Sequence, residues 1–291
     1  MEYSIDQFSK ITGITKLVLR TWENRYNFLQ ADRTSTNIRS YSDDLLISAL
    51  NTKFLIDSGY KISFIVKQKE CEINKLIDQM NERSKSNSSS YTYYINKFIQ
   101  SGIKFDAQLF NRIYKKCLLD FNHIELYKNI ILPTLHRIGM FWLTNRINPA
   151  QEHFLSEMFK QKIYRSIDEI NVKKNKSKTW LLFLPPNEHH ELGLLFTRLL
   201  LLSNGYNVVY LGANVPLLAL REVSKNHIID CTLFFSISNL SKLKLNETLS
   251  FLDSQFNSST NYLVSRDSLS ELKDKPTIKC INSLNQFVDI L

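Results

Sequence analysis

The hydrophobic pattern of this 291-residue chain changes period once, and that change limits what it can fold into. Up to about residue 170, apolar residues recur three and four positions apart, the spacing of one face of a helix. Beyond the basic stretch at 173–178 (KKNKSK), short apolar runs take over at 180–184, 207–211, 231–235, 262–264 and 277–281, alternating with helical segments. Strand and helix in alternation imply a parallel sheet with right-handed crossovers, that is, a Rossmann-like (flavodoxin-like) domain. The expected fold class is therefore multidomain, α followed by α/β.

The helical part divides in two. In the first piece, Ile5, Phe8 and Ile11 line one helix face, Thr12-Gly13 breaks it, and Thr15 caps a second helix running to about Tyr26. A polar, Arg-containing stretch spans 30–39. Ser42 then caps a third helix, over 43–56, with Asp43 and Asp44 in its first turn where the helix dipole favours acids. Ser58-Gly59 ends it, and a further helix is expected over 63–80. Residues 82–90 (ERSKSNSSS) read as a polar linker. From 91 to 170 the pattern gives four helices, with turns at Ser101-Gly102 and Asp120-Phe121-Asn122. The start at Asn148-Pro149-Ala150-Gln151 has Asn as cap, Pro at the first helical position and Gln closing a capping box. Four such helices make a bundle. The expected domains are 1–80, a winged helix-turn-helix; 91–171, a four-helix bundle; and 179–291, the α/β domain.

Composition excludes several classes. Hydrophobic residues at 43% and charged residues at 22% are those of a soluble globular protein. No apolar run reaches the roughly 18 residues of a membrane span; the longest, 192–203, is interrupted by Thr197 and Arg198. The first residues show no signal-peptide pattern, so a cytoplasmic location is expected. Cys71, Cys117, Cys231 and Cys280 lie far apart without a CxxC pair, which points to reduced thiols and away from a cysteine zinc site. A net charge of +9 suits a nucleic-acid partner.

A short helix, a turn at Gly13 and a second helix bearing Lys16, Arg20 and Arg25 have the order of a helix-turn-helix. Its second helix would enter the major groove of double-stranded DNA, where Lys16 and Arg20 reach phosphates or guanine edges. Arg33 and Arg39, on the following loop, would meet flanking phosphates. The α/β half offers different chemistry. The run Leu184-Pro185-Pro186-Asn187-Glu188-His189-His190-Glu191-Leu192-Gly193 follows a strand and opens a helix. It sets the His190 imidazole at the carboxyl edge of the sheet, where open α/β sheets bind ligands. A neutral His there can ligate a metal while Glu188 holds its other ring nitrogen. In the bundle, Trp142 ends one helix and Glu152-His153 falls in the first turn of the next, bringing an aromatic plate, a carboxylate and an imidazole to one end.

Two motif sets resemble a known family. Tyr3-Ser4-Ile5, Thr12-Gly13-Ile14, Leu19-Arg20-Thr21-Trp22-Glu23-Asn24-Arg25-Tyr26, Arg33-Thr34 and Arg39-Ser40-Tyr41-Ser42 with Asp44 follow the order of the winged helix of MerR-type transcription regulators. The likeness is to the subgroup with R-x-W-E-x-R-Y in its recognition helix, in which Trp22 and Tyr26 pack rather than read bases. The wing lacks the usual Gly near 37 and has Asn37, which tolerates a positive φ. Glu188-x-His190-x-x-Gly193 is similar to the D/E-x-H-x-x-G loop of cobalamin-binding domains, and Gly139-Met140-Phe141-Trp142 precedes Glu152-His153 by nine residues. Together these resemble the light-sensing, cobalamin-dependent MerR-type repressors over nearly the whole chain.

That resemblance implies a regulator, not an enzyme, with adenosylcobalamin as cofactor, promoter DNA as partner and assembly as a homo-oligomer that light breaks up. His190 would be the lower cobalt ligand, Glu188 its orienting partner, and Gly193 the place where backbone and corrin ring approach closely. Trp142 would cap the adenosyl face, with Glu152 and His153 completing the upper pocket. Ser236 and Ser238 would line the slot for the nucleotide tail, and 210–216 would be the loop after the second strand. His189 is a bystander. Two positions depart from the family: there is no glycine after Gly212, where such domains carry a Gly-Gly pair beside the tail, and Leu143 stands where some relatives have a second His. On the residues alone other readings stay open. They are a regulator of this fold without cobalamin, a corrinoid carrier of a methyltransferase or mutase, and a zinc hydrolase using Glu188, His189 and His190, for which a separate ligand set is lacking.

Overall fold

The computed structural model of the chain describes residues 2–34, 36–83, 87–143, 149–172, 176–237, 242–265 and 278–291; the side chains of 81–83, 87–89, 140–143 and 242 lie outside that description. Two compact units divide the chain, at Met158/Phe159, inside one long helix.

The first unit opens with β1 (Glu2–Ser4), α1 (Ile5–Thr12) and α2 (Lys16–Tyr26). Ser4 and Gln7 form a reciprocal capping box on α1, and Gly13 ends it at φ 72. Thr15 caps α2 by accepting from the Val18 N–H at 3.3 Å. β2 (Asp32–Arg33) and β3 (Arg39–Ser42) form the wing, and β3 pairs antiparallel with both β1 and β2. Asn37 turns the wing at φ 63, as its sequence allows. The core beneath joins Phe8 to Tyr41, stacked at 4.2 Å, and Tyr3 donates to Asp43 at 2.6 Å.

α3 (Asp43–Asp57) starts at Ser42, whose hydroxyl accepts from the Leu45 N–H. It is buried on nearly every side, at Leu46, Ile47, Ala49, Leu50, Asn51, Thr52, Phe54 and Leu55. A helix apolar all round needs partners all round, and α3 packs against α1 on one flank and against α5 and α6 on another. The expected helix over 63–80 is instead a single turn, α4 (Ile62–Ile65), and a separate α5 (Glu70–Arg83). The Glu72 carboxylate accepts from the Lys69 N–H at 2.8 Å and so starts α5 afresh. The polar stretch at 82–90 is shorter as a connection than its composition suggests, because α6 (Asn87–Ile103) already begins within it; Asn and Ser favour helix starts as much as linkers.

The bundle continues with α7 (Ala107–Asp120), then α8 (His123–Leu126), a π turn (Tyr127–Ile131) and α9 (Leu132–Leu143) run together, and finally α10 (Pro149–Asp168). The π turn has a local cause. Pro133 has no N–H to donate and its ring crowds the preceding turn, and widening the helix by one residue absorbs both. α6 and α10 approach closely at Gly102, where a Cβ would lie 2.6 Å from a Leu155 methyl. The capping box expected at the start of α10 falls on Asn148, outside the described residues, and on Gln151. Gln151 is buried, and its amide donates to the Ile103 carbonyl at 3.1 Å, tying α10 to the end of α6.

The second unit holds a five-stranded parallel sheet of β4 (Thr179–Phe183), β5 (Asn207–Gly212), β6 (Cys231–Ser236), β7 (Thr260–Ser265) and β8 (Ile278–Ile281), in the order β5-β4-β6-β7-β8. The crossover helices are α11 (Glu191–Ser203), α12 (Leu217–Asn226) and α13 (Lys242–Gln255), and α14 (Leu284–Val288) closes the chain. This is the flavodoxin-like strand order, reached from the alternation of period. Side chains alternate across it. Leu181, Phe183, Phe234 and Leu263 pack with Leu220, Leu245, Leu249 and Leu252 on one face, while Trp180 stacks on Tyr262 at 5.2 Å on the other.

Candidate functional site

On α2, Lys16, Leu17, Arg20, Thr21 and Asn24 are exposed, while Leu19 and Trp22 face the core. Lys16 and Arg20 are four residues apart and share the outward face; Lys16 also meets Asp6 of α1. Arg25 sits elsewhere, roughly 140° around the helix from Arg20 at about 100° per residue, with its guanidinium over the Tyr26 ring at 5.4 Å. Trp22 is buried beside Phe28, a packing residue as expected. Arg33 is exposed on β2 and braces the wing by donating to the Asn37 side chain at 3.0 Å. Arg39 departs from expectation: it lies on β3 rather than a loop, and its Nε donates to Glu23 of α2 at 2.8 Å. A half-buried charge next to a carboxylate is held inside the domain, so Arg39 joins wing to recognition helix instead of standing free for a phosphate.

The second constellation stands at the carboxyl edge of the parallel sheet. Between β4 and β6 the chain order reverses, and at such a switch point the two following loops part and leave a crevice. The loop after β4 carries Glu188 and His190. Left-handed backbone at Asn187 (φ 68) and Asn214 (φ 55) shapes it, and Asn214 donates from its backbone to the Glu188 carbonyl at 3.1 Å. Glu188 is fully buried. Its Oε1 accepts from the backbone N–H of His189 and His190, each at 3.0 Å, and lies 2.6 Å from His190 Nδ1. Its Oε2 accepts from the Ile237 N–H at 2.8 Å, just past β6. The carboxylate thus spans the switch point. His190, at the N-terminal edge of α11, keeps its side chain 60% exposed. The contact at Nδ1 orients the ring in the way that a carboxylate orients a metal-ligating imidazole. His189 is exposed and only its backbone takes part.

The next residue, Glu191, accepts from the Tyr210 hydroxyl at 3.0 Å and lies 3.7 Å from Lys160 of α10. Burial and then the Glu191 charge push the Tyr210 hydroxyl far above its ordinary value, so it stays a neutral donor. Gly193, expected where backbone and corrin approach, packs against the sheet. A Cβ there would lie 2.8 Å from the Phe235 ring, so the absent side chain makes room for an aromatic of the chain's own sheet. Ser236 is buried at the last position of β6; Ser238 lies outside the described residues. At the bundle end, Glu152 and His153 fall in the first turn of α10, half-buried and exposed respectively, 3.9 Å apart. Trp142 is in the last turn of α9, but its side chain lies outside the described residues, as does that of Leu143.

Sequence spacing could not reveal three of these partners. Ile237 is 49 positions from Glu188, Glu23 is 16 from Arg39, and Phe235 meets Gly193 only through the sheet. Among the described residues no group of three or more His, Cys, Asp or Glu is placed to hold a metal ion. The donor set at His190 fits a metal that needs one imidazole and takes its other ligands from elsewhere, as a corrin-bound cobalt does.

These features define a class: a MerR-type DNA-binding domain carried in one chain with a B12-binding module. Residues 3–67 match the MerR HTH family of regulatory proteins, and residues 94–165 match the B12 binding domain family. The chain is homologous over most of its length to two proteins of Myxococcus xanthus. It is 24% identical to the HTH-type transcriptional repressor CarH over 224 residues, 74% of this chain and 72% of that one. It is likewise 24% identical to the HTH-type transcriptional repressor CarA over 225 residues, 76% and 72%. Among solved structures, the monomethylamine corrinoid protein of Methanosarcina barkeri shares the fold, with a TM-score of 0.54 at 12% identity, over 67% of this chain and 97% of that one.

Proposed function

We propose that the chain is a transcriptional repressor that binds promoter DNA through residues 1–80 and senses adenosylcobalamin through 91–171 and 179–291, as a homo-oligomer whose assembly responds to the cofactor and to light. The observation that carries the sensing half is the buried Glu188 holding His190 Nδ1 at the switch point of the sheet, with the His190 side chain largely exposed. When bound, adenosylcobalamin supplies a cobalt–carbon bond that light breaks. The residues do the rest. His190 would hold the cobalt, Glu188 would orient the imidazole through Nδ1, and the Ile237 N–H holds Glu188 in place. Trp142, Glu152 and His153 we assign to the adenosyl side. Lys16 and Arg20, on the exposed face of α2, are the groups for phosphates or guanine edges, and Arg33 adds charge at the wing. A cofactor shifts the oligomer equilibrium only by its differential affinity for the assembled and separated states.

The test is purification in the dark with adenosylcobalamin, followed by absorption spectra and promoter-DNA binding before and after illumination. Retention of the corrinoid with a spectrum that changes on illumination, and DNA binding that changes with it, is the expected result. A protein that retains no corrinoid sinks the sensing half. His190→Ala should weaken retention, and Arg20→Ala should weaken DNA binding by about tenfold or more, the size of one specific contact, without altering retention.

A further inference from the structure

The outward face of α2 carries two unlike strips. Lys16, Arg20 and Asn24, four apart, form a line of hydrogen-bond donors, and Leu17 and Thr21, also four apart, form a second line beside it; all five residues are exposed. At about 100° per residue, Leu17 lies roughly 160° around the helix from Leu19 and roughly 140° from Trp22, the two residues that α2 buries. Leu17 therefore faces away from the core, and at 75% exposure it adds almost nothing to the packing of the domain. Its neighbour Thr21 donates its hydroxyl to the Leu17 carbonyl at 2.8 Å, which commits that hydrogen to the helix backbone and leaves the 17–21 strip largely apolar. The surroundings say what covers this face. Lys16 and Arg20 flank Leu17, the domain matches the MerR HTH family, and the chain carries a net charge of +9, all complementary to double-stranded DNA. A recognition helix meets base edges with its N-terminal residues, and Leu17 is the second residue of α2. Leucine has nothing to offer a phosphate. The apolar group that the major groove displays is the 5-methyl of thymine.

We infer that Leu17 is a base-reading residue that packs against the 5-methyl group of a thymine in the major groove, so that the operator carries a thymine next to the position met by Arg20. This rests on the proposed placement of α2 on promoter DNA and adds part of the sequence it selects. Apolar surface that stands in water in the free protein is buried against a methyl in the complex, a favourable exchange. The contact involves no charge. It sharpens the choice of site and leaves the salt-dependent attraction to phosphate unchanged.

The experiment selects a bound sequence from a random duplex library with the full chain, in the dark with and without adenosylcobalamin, and then replaces each thymine of that sequence in turn by deoxyuridine. The replacement removes one methyl and nothing else. At one thymine or more it should weaken binding by about threefold to tenfold, the size of one buried methyl contact. In Leu17→Ser the same replacement should make no difference, while the slope of affinity against salt stays that of the parent chain, which also reports that the variant is folded. A selected sequence with no methyl-sensitive thymine overturns the inference and leaves DNA binding standing. Sensitivity that persists in Leu17→Ser overturns it too, because another group then meets the methyl. So does a variant that loses self-association in place of thymine discrimination, which would put Leu17 between copies of the chain. No enrichment of any sequence, with or without the cofactor, overturns both the inference and the placement of α2 on DNA.

Discussion

A carboxylate without exposed surface persists in a folded chain only when donors surround it, and Glu188 has three backbone N–H groups and an imidazole around it. Glu188→Ala strands those donors at the sheet edge and should lower stability by about 3 kcal/mol, the scale for a lost charged hydrogen-bond set. His190→Ala removes a largely exposed ring and should change stability by less than about 1 kcal/mol. Denaturant titration of the two variants separates the roles: equal losses would mean that Glu188 is no more embedded than its partner. The thiols offer a second check at this scale. Burial pushes Cys231 up to about 11 and raises Cys117 and Cys280 as well, whereas Cys71 is exposed. Near neutral pH a thiol reagent should therefore label Cys71 first, because the thiolate is the reacting form; early labelling of Cys231 in folded protein would contradict that burial. The contact between Glu188 and His190 was legible in the sequence because the two sit two positions apart on one loop. The contact of Gly193 with Phe235 was not, since Gly193 lies on α11 and that ring belongs to β6.

Among the elements, the approach of α6 to α10 at Gly102 is the tightest test of packing. A methyl added there would meet Leu155, which is fully buried and hemmed in by the bundle. Overpacking of this kind costs about 1–3 kcal/mol, and the better helix propensity of alanine returns only about 1 kcal/mol. Gly102→Ala should thus be destabilising on balance, seen as a lower midpoint of thermal unfolding; a raised midpoint would show that the two helices can part freely. Helices α2 and α3 were readable because Thr15 and Ser42 announce a start by a local hydrogen bond, and α1 because Ile5, Phe8 and Ile11 share a face; the cap of α1 at Ser4 was not read. All five strands of the second unit came from composition and alternation. What the pattern missed was non-local or ambiguous. Gln151 looked like a capping residue but is drawn inward by a carbonyl 48 positions away. Apolar spacing ran through 63–80 without registering that Glu72 restarts the helix.

At the scale of the whole molecule, the net charge of +9 and the cations of α2 and the wing predict DNA binding that weakens as salt rises, as counterions released from phosphate return. The logarithm of affinity plotted against the logarithm of salt should be a falling line, and a flat one would contradict phosphate contact. Alkali should act on the fold itself. Burial raises the hydroxyls of Tyr3, Tyr93, Tyr127 and Tyr210 above the ordinary value of 10.0. A group whose folded value lies above its unfolded one adds stability below the unfolded value and loses it as pH rises past that point. Unfolding midpoints should therefore hold to about pH 10 and fall beyond it; constancy above that would mean that these hydroxyls ionise as readily folded as unfolded. The winged helix also has little slack. Phe54 of α3 meets Tyr93 of α6, Lys104 at the end of α6 reaches Asp44, and Asn51 and Lys97 converge on Asn74 of α5. One helix therefore serves as the floor of the DNA reader and as a wall of the bundle. A reader hung on a free tether would search for its site independently of the sensor, and news from the bundle would reach it only as a change in local concentration. Sharing α3 turns the arrangement into a lever: a small rotation of the bundle must swing the recognition helix with it, so that the message delivered to the promoter is an angle.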